Sequence, residues 1–100
     1  MSETRTFKQV KRKYAKTLEQ YVPVVARVHG VHHPEFHEVR ALYDTIIQKA
    51  KDAGTGLPDL QGEFARLREI TNHYEVPGDV CETYEAVYQM LAELDQAYHA

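Results

Sequence analysis

One hundred residues make one domain, 1–100, with a single core and no room for a second. Hydrophobic and charged fractions of 43% and 27% lie near globular averages and exclude a disordered chain. A formal charge of -3 excludes strong general affinity for nucleic acid, although Arg5, Lys8, Lys11, Arg12, Lys13 and Lys16 crowd basic charge near the start. That run reads as a solvated helix face or as a docking patch for anions.

Cys81 is the only cysteine, so one chain holds no disulfide framework and no multi-cysteine zinc or iron-sulfur site. No stretch approaches the roughly 18 apolar residues of a membrane span, and MSETRTFKQVKRK lacks the apolar core of a secretory signal. The expected setting is the reducing cytoplasm.

The first predicted helix covers about 4–29, where Phe7, Val10, Tyr14, Leu18, Tyr21, Val25 and Val28 recur three or four apart. Gly30 closes it, and Pro23 inside it predicts a kink or a break near Tyr21. The second, about 34–53, opens with Pro34 at the first helical position, carries Val39, Leu42, Tyr43, Ile46, Ile47 and Ala50, and ends at Gly54. The third, about 58–74, starts at Pro58 and carries Leu60, Phe64, Leu67, Ile70 and Tyr74 up to the turn Val76-Pro77-Gly78. The fourth opens with Asp79 and Glu82 as a capping box and carries Val80, Tyr84, Val87, Tyr88, Leu91, Leu94 and Tyr98. Nothing alternates as a strand does. The fold expected is all-α, a compact up-down-up-down four-helix bundle. Seven tyrosines and no tryptophan place several phenols on the apolar stripes, with hydroxyls expected to reach water.

Four of the six histidines fall in RVHGVHHPEFHEVR, residues 27–40. Imidazole joined by carboxylate suits iron or zinc, and helices deliver such ligands three or four apart. His29, His33 and His37 with Glu38 therefore form one candidate metal set. His33 before Pro34 falls outside the helical register that would align it with His37. The alternatives are a tight turn, with His29 and His33 satisfying backbone groups while His32 and His37 face water, and a pH sensor of clustered imidazoles. Cys81 in the first turn of the fourth helix is a candidate redox thiol, because the helix dipole favours its thiolate while Asp79 and Glu82 oppose it. No phosphate-binding glycine loop and no nucleophile elbow occurs, and Ser2 is the only serine, so an enzyme is not expected.

The stretch VARVHGVHHPEFHEV resembles the segment around the VHGxHPE motif of the RIC family, hemerythrin-like di-iron proteins of iron-sulfur cluster repair. The resemblance resumes in EFARLREITNHYEVPGDVCETYEAVYQMLAELDQAYHA and covers roughly two-thirds of the chain. His29 matches the motif histidine and His33 the histidine of HPE; Cys81 matches a family cysteine. The resemblance implies a four-helix bundle, a possible iron cofactor, and a role in iron-sulfur maintenance under nitrosative or oxidative stress. The H-x-x-x-E pairs that complete the family's di-iron centre are missing. The reading is therefore a shortened, ligand-poor relative, either natural or cut from a longer chain. It acts as a binding or assembly module with a protein partner or a second copy of itself. The competing readings are a metal-binding redox protein built on His29, His33 and His37, and an interaction module unrelated to iron.

Overall fold

The computed structural model describes residues 6–100, among which there are four helices and no strand. They are α1 (Phe7–His29), α2 (Glu35–Ala53), α3 (Gln61–Ile70) and α4 (Glu82–Tyr98). Arg5 and the first residues of the expected opening helix lie outside the described residues.

Thr6 begins α1 with a reciprocal cap. Its Oγ1 accepts from the Gln9 amide at 3.2 Å, and Gln9 Oε1 accepts from the Thr6 amide at 3.0 Å. Two otherwise orphan donors are thereby satisfied. The expected break at Pro23 does not occur, and α1 runs through it as one element. Proline removes one rung of the backbone ladder, and the packing of Leu18, Val22, Val25 and Ala26 on either side holds the rest. Val28, expected on the buried stripe, is 57% exposed, and Val22 and Ala26 take the inward positions. The face drifts because 3.6 residues per turn does not divide evenly into steps of three and four.

Gly30 closes α1 for a reason of space. Its backbone is ordinary right-handed, yet a Cβ there would collide with the Ala26 carbonyl and stand 2.5 Å from His37 Nε2. The chain then turns on amides from His32 and His33 to the His29 carbonyl, at 3.2 and 2.8 Å. Pro34 takes the cap position of α2, one residue before the expected place. Phe36, Val39, Tyr43 and Ile46 supply its buried face. Gly54 ends it at φ +60°, ψ −116°, a backbone state that side chains with a Cβ resist.

The third helix is shorter than its pattern suggests, and both ends have tertiary causes. At the front, the Tyr98 hydroxyl donates to the Pro58 carbonyl and accepts from the Leu60 amide, each at 2.8 Å. Those backbone groups are occupied by a tyrosine instead of a helical turn. At the rear, Asn72, His73 and Tyr74 are all left-handed, with φ of 52°, 60° and 63°. Thr71 pins the reversal, its hydroxyl donating to the Leu67 carbonyl at 2.6 Å and accepting from the Tyr74 amide at 2.8 Å.

The capping box expected at Asp79 and Glu82 is corrected: α4 starts at Glu82 with Cys81 in the cap position. The Asp79 carboxylate is turned to His33 instead. From there α4 buries Tyr84, Val87, Tyr88, Leu91 and Leu94, chiefly against α1, while α2 packs on α1 and α3. The Cα radius of gyration is 13.2 Å, matching the ~13 Å of a folded 100-residue domain. No described helix is long and apolar enough to cross a membrane.

The tyrosines lie in the core or at its boundary, as expected, but most of their hydroxyls bond within the protein. Tyr84 and Tyr88 pair hydroxyl to hydroxyl at 2.9 Å, and Tyr14 donates to Glu93. Tyr74 donates at 2.7 Å to the buried Asp95 carboxylate, which His99 and Arg68 also approach, at 2.9 and 3.6 Å. Buried phenols need internal partners because desolvation otherwise leaves the O–H unpaired.

Candidate functional site at the turn after α1

His29 ends α1, and its Nε2 lies 3.2 Å from the sulfur of Cys81, 52 residues along the chain. Tyr84, in the first turn of α4, forms the floor. Its ring packs against those of His29, His33 and Phe36, with centroids 5.4, 5.6 and 5.2 Å away. Burial pushes the Tyr84 phenol up, and burial with the Tyr84 contact does the same to Tyr88. Neither phenol ionises near neutral pH. The floor is therefore uncharged, and the polar chemistry sits at its rim.

Cys81 is exposed at that rim. The Tyr84 amide, helped by the amide and hydroxyl of Thr83, lowers its thiol below the ordinary range. These groups belong to the first turn of α4, whose unpaired N–H groups favour negative charge. His29 adds an imidazole nitrogen beside the sulfur, able to accept the thiol proton or to donate to the thiolate.

His33 is held from both sides. Its Nδ1 faces Glu35 Oε2 at 3.2 Å, and its Nε2 faces the Asp79 carboxylate at 3.0 and 3.2 Å. A neutral imidazole donates from one nitrogen only, whereas the imidazolium donates to both carboxylates. His33 thereby ties the start of α2 to the loop before α4. Instead of satisfying the turn's backbone, the side chains of His29 and His33 meet side chains distant in sequence.

His37 and Glu38 point elsewhere. His37 is exposed with its ring against Gly30. Glu38 takes a two-pronged ion pair from Arg66 on α3, Nε to Oε2 at 2.5 Å and Nη2 to Oε1 at 3.0 Å. The Arg66 hydrogen bond lowers the Glu38 carboxyl below its usual range. Neighbours on a helix project about 100° apart, so one faces the turn and the other α3. Among the described residues, no three histidine, cysteine or carboxylate side chains stand together so as to hold a metal ion. As arranged, the donor set does not fit a di-iron centre.

Sequence reasoning grouped His29 with His33, His37 and Glu38 and left Cys81 apart from them. It missed Asp79 and Tyr84 as partners, since Asp79 has the local signature of a cap and Tyr84 that of a core residue. A local pattern carries no signal for the other roles.

The chain is similar to an iron-sulfur cluster repair protein. It is 25% identical to the iron-sulfur cluster repair protein ScdA of Staphylococcus haemolyticus (strain JCSC1435), over 127 aligned positions that take in 93% of this chain and 56% of that protein. The chain spans about half the length of that relative. No family model and no solved structure matches.

Proposed function

We propose that this chain is a hemerythrin-like binding module of iron-sulfur cluster maintenance that works under nitrosative or oxidative stress through the Cys81 thiol. The similarity to a cluster repair protein along 93% of the chain carries the link to iron-sulfur maintenance. An alignment longer than this chain means that the relative has residues the chain lacks, which supports a shortened form. The pairing of His29 with an exposed, acid-shifted Cys81 supports a reactive thiol. Val24, Val28 and Val31, beside His29 in sequence and 39%, 57% and 83% exposed, supply apolar surface for a protein partner.

The test is recovery of aconitase activity after nitric oxide exposure, in cells with and without this protein. Recovery slows without it and returns with the wild-type chain but not with Cys81→Ser. Equal recovery in the presence and absence of the protein would overturn the assignment.

The same pair favours a second reading. Imidazole nitrogen and thiolate sulfur are both metal donors, and a second copy of the chain would supply what His29 and Cys81 lack. Metal analysis after anaerobic incubation with ferrous iron or zinc separates the two. Stoichiometric metal, lost in His29→Ala, supports this reading, and traces unchanged by that substitution support the first.

A further inference from the structure

The basic run of α1 is built into a cavity. Lys8, Lys11 and Arg12, in its first two turns, face the loop of residues 54–58 between α2 and α3 across a space of about 350 Å³. Its apolar lining comes from the rings of Phe7 and Pro58 and the methyl of Ala50, with Phe7 and Pro58 themselves buried. The Lys8 ammonium donates to the Thr55 carbonyl and joins helix to loop. Among the described residues no acidic side chain lines this space and no ion pair neutralises Lys8, Lys11 or Arg12. Lys49, Arg66 and Arg68 each have a carboxylate, and what sets Lys8, Lys11 and Arg12 apart from the other cations without one is that they converge on a single cavity.

Three cations around one cavity repel one another, and a bound anion removes that repulsion. Arg12 offers a planar fork that grips two oxygens of one group, while the lysines act as point charges. Two ammonium groups and a guanidinium favour a dianion over a single carboxylate. The volume lies within the roughly 300–1,000 Å³ of small-molecule sites, and its apolar wall would go unused by inorganic phosphate. We propose that this cavity binds a small phosphomonoester carrying a compact apolar or aromatic body. The assignment is independent of the thiol chemistry at the other site.

Phenyl phosphate is the probe, titrated into the full chain beside inorganic phosphate and phenol, with backbone amide shifts read by NMR. Saturable shifts at Lys8, Lys11, Gly54, Thr55 and Gly56 are expected, with phenyl phosphate binding roughly ten-fold tighter than either fragment. Arg12→Gln weakens it by about ten-fold, whereas Lys13→Gln combined with Lys16→Gln, both exposed and outside the cavity, changes it by less than about two-fold. Equal affinity for phenyl phosphate and inorganic phosphate, shifts spread along α1, equal losses in the two kinds of variant, or no binding would each overturn the proposal.

Discussion

Cys81 shows how one side chain takes its chemistry from several elements at once. The sulfur belongs to the cap position of α4, the amides that lower its pKa to the first turn of the same helix, and the imidazole beside it to the end of α1. A thiol reacts as its thiolate, so a lowered pKa moves reactivity to lower pH. Alkylation of Cys81 in the folded chain is therefore expected to reach half its plateau rate at a lower pH than in a urea-unfolded control. The folded state favours the anion here, so the shift must be downward. Coincident profiles for the folded and unfolded chains would show that the first-turn amides do not act on the sulfur. His29→Ala should leave α4 intact and still change the folded profile, because it removes the imidazole 3.2 Å from the sulfur. Little of this was legible in sequence: the helix-start position of Cys81 was, but its partner 52 residues away was not.

At the scale of elements, breakers set the helix ends where the backbone itself is constrained. Gly54 is such a place, with φ +60° and ψ −116°. Gly54→Ala is expected to destabilise the chain by about 1–3 kcal/mol, although a methyl there meets nothing within 4 Å. The cost is conformational and not steric. His73 is the reverse case, an exposed residue held left-handed at φ 60°. His73→Gly relieves a penalty of about 1–2 kcal/mol, partly offset by glycine's greater freedom when unfolded, for a net gain of about 0.5–1 kcal/mol. Chemical denaturation of both variants checks the pair, and the opposite sign at either position would refute the reading of that turn. The end of α3 was misplaced from sequence for a related reason. Ile70 and Tyr74 keep helical spacing, but the Thr71 hydroxyl and the Tyr74–Asp95 bond reverse the chain between them.

For the molecule as a whole, stability rests on the seam between α4 and α1 and on the rings around it. Leu91 is fully buried in the core. Leu91→Ala should cost about 2–5 kcal/mol, a large share of the roughly 5–15 kcal/mol typical of a domain. Val31→Ser, at an 83% exposed position, should change stability by less than about 0.5 kcal/mol. Urea midpoints measure both, and comparable losses in the two variants would mean that the core is not where these helices place it. The same contrast separates the exposed valines, available to a partner, from the stripe that holds the bundle.

The sequence by itself determined that this chain is helical, the four helices among the described residues, most of the residues on each buried stripe, and two of the stops, at Gly30 and Gly54. Periodicity, capping and backbone restriction act over a few residues, so they are written locally and can be read locally. Tertiary structure alone decided that His29 meets Cys81, that Asp79 serves His33 instead of a helix cap, that Glu38 belongs to Arg66, and that the Tyr74 hydroxyl meets Asp95. Those pairings join residues dozens of positions apart through the way helix faces pack. A side chain's partner across such a seam depends on the crossing of two elements and the direction each side chain takes, and no local pattern encodes either.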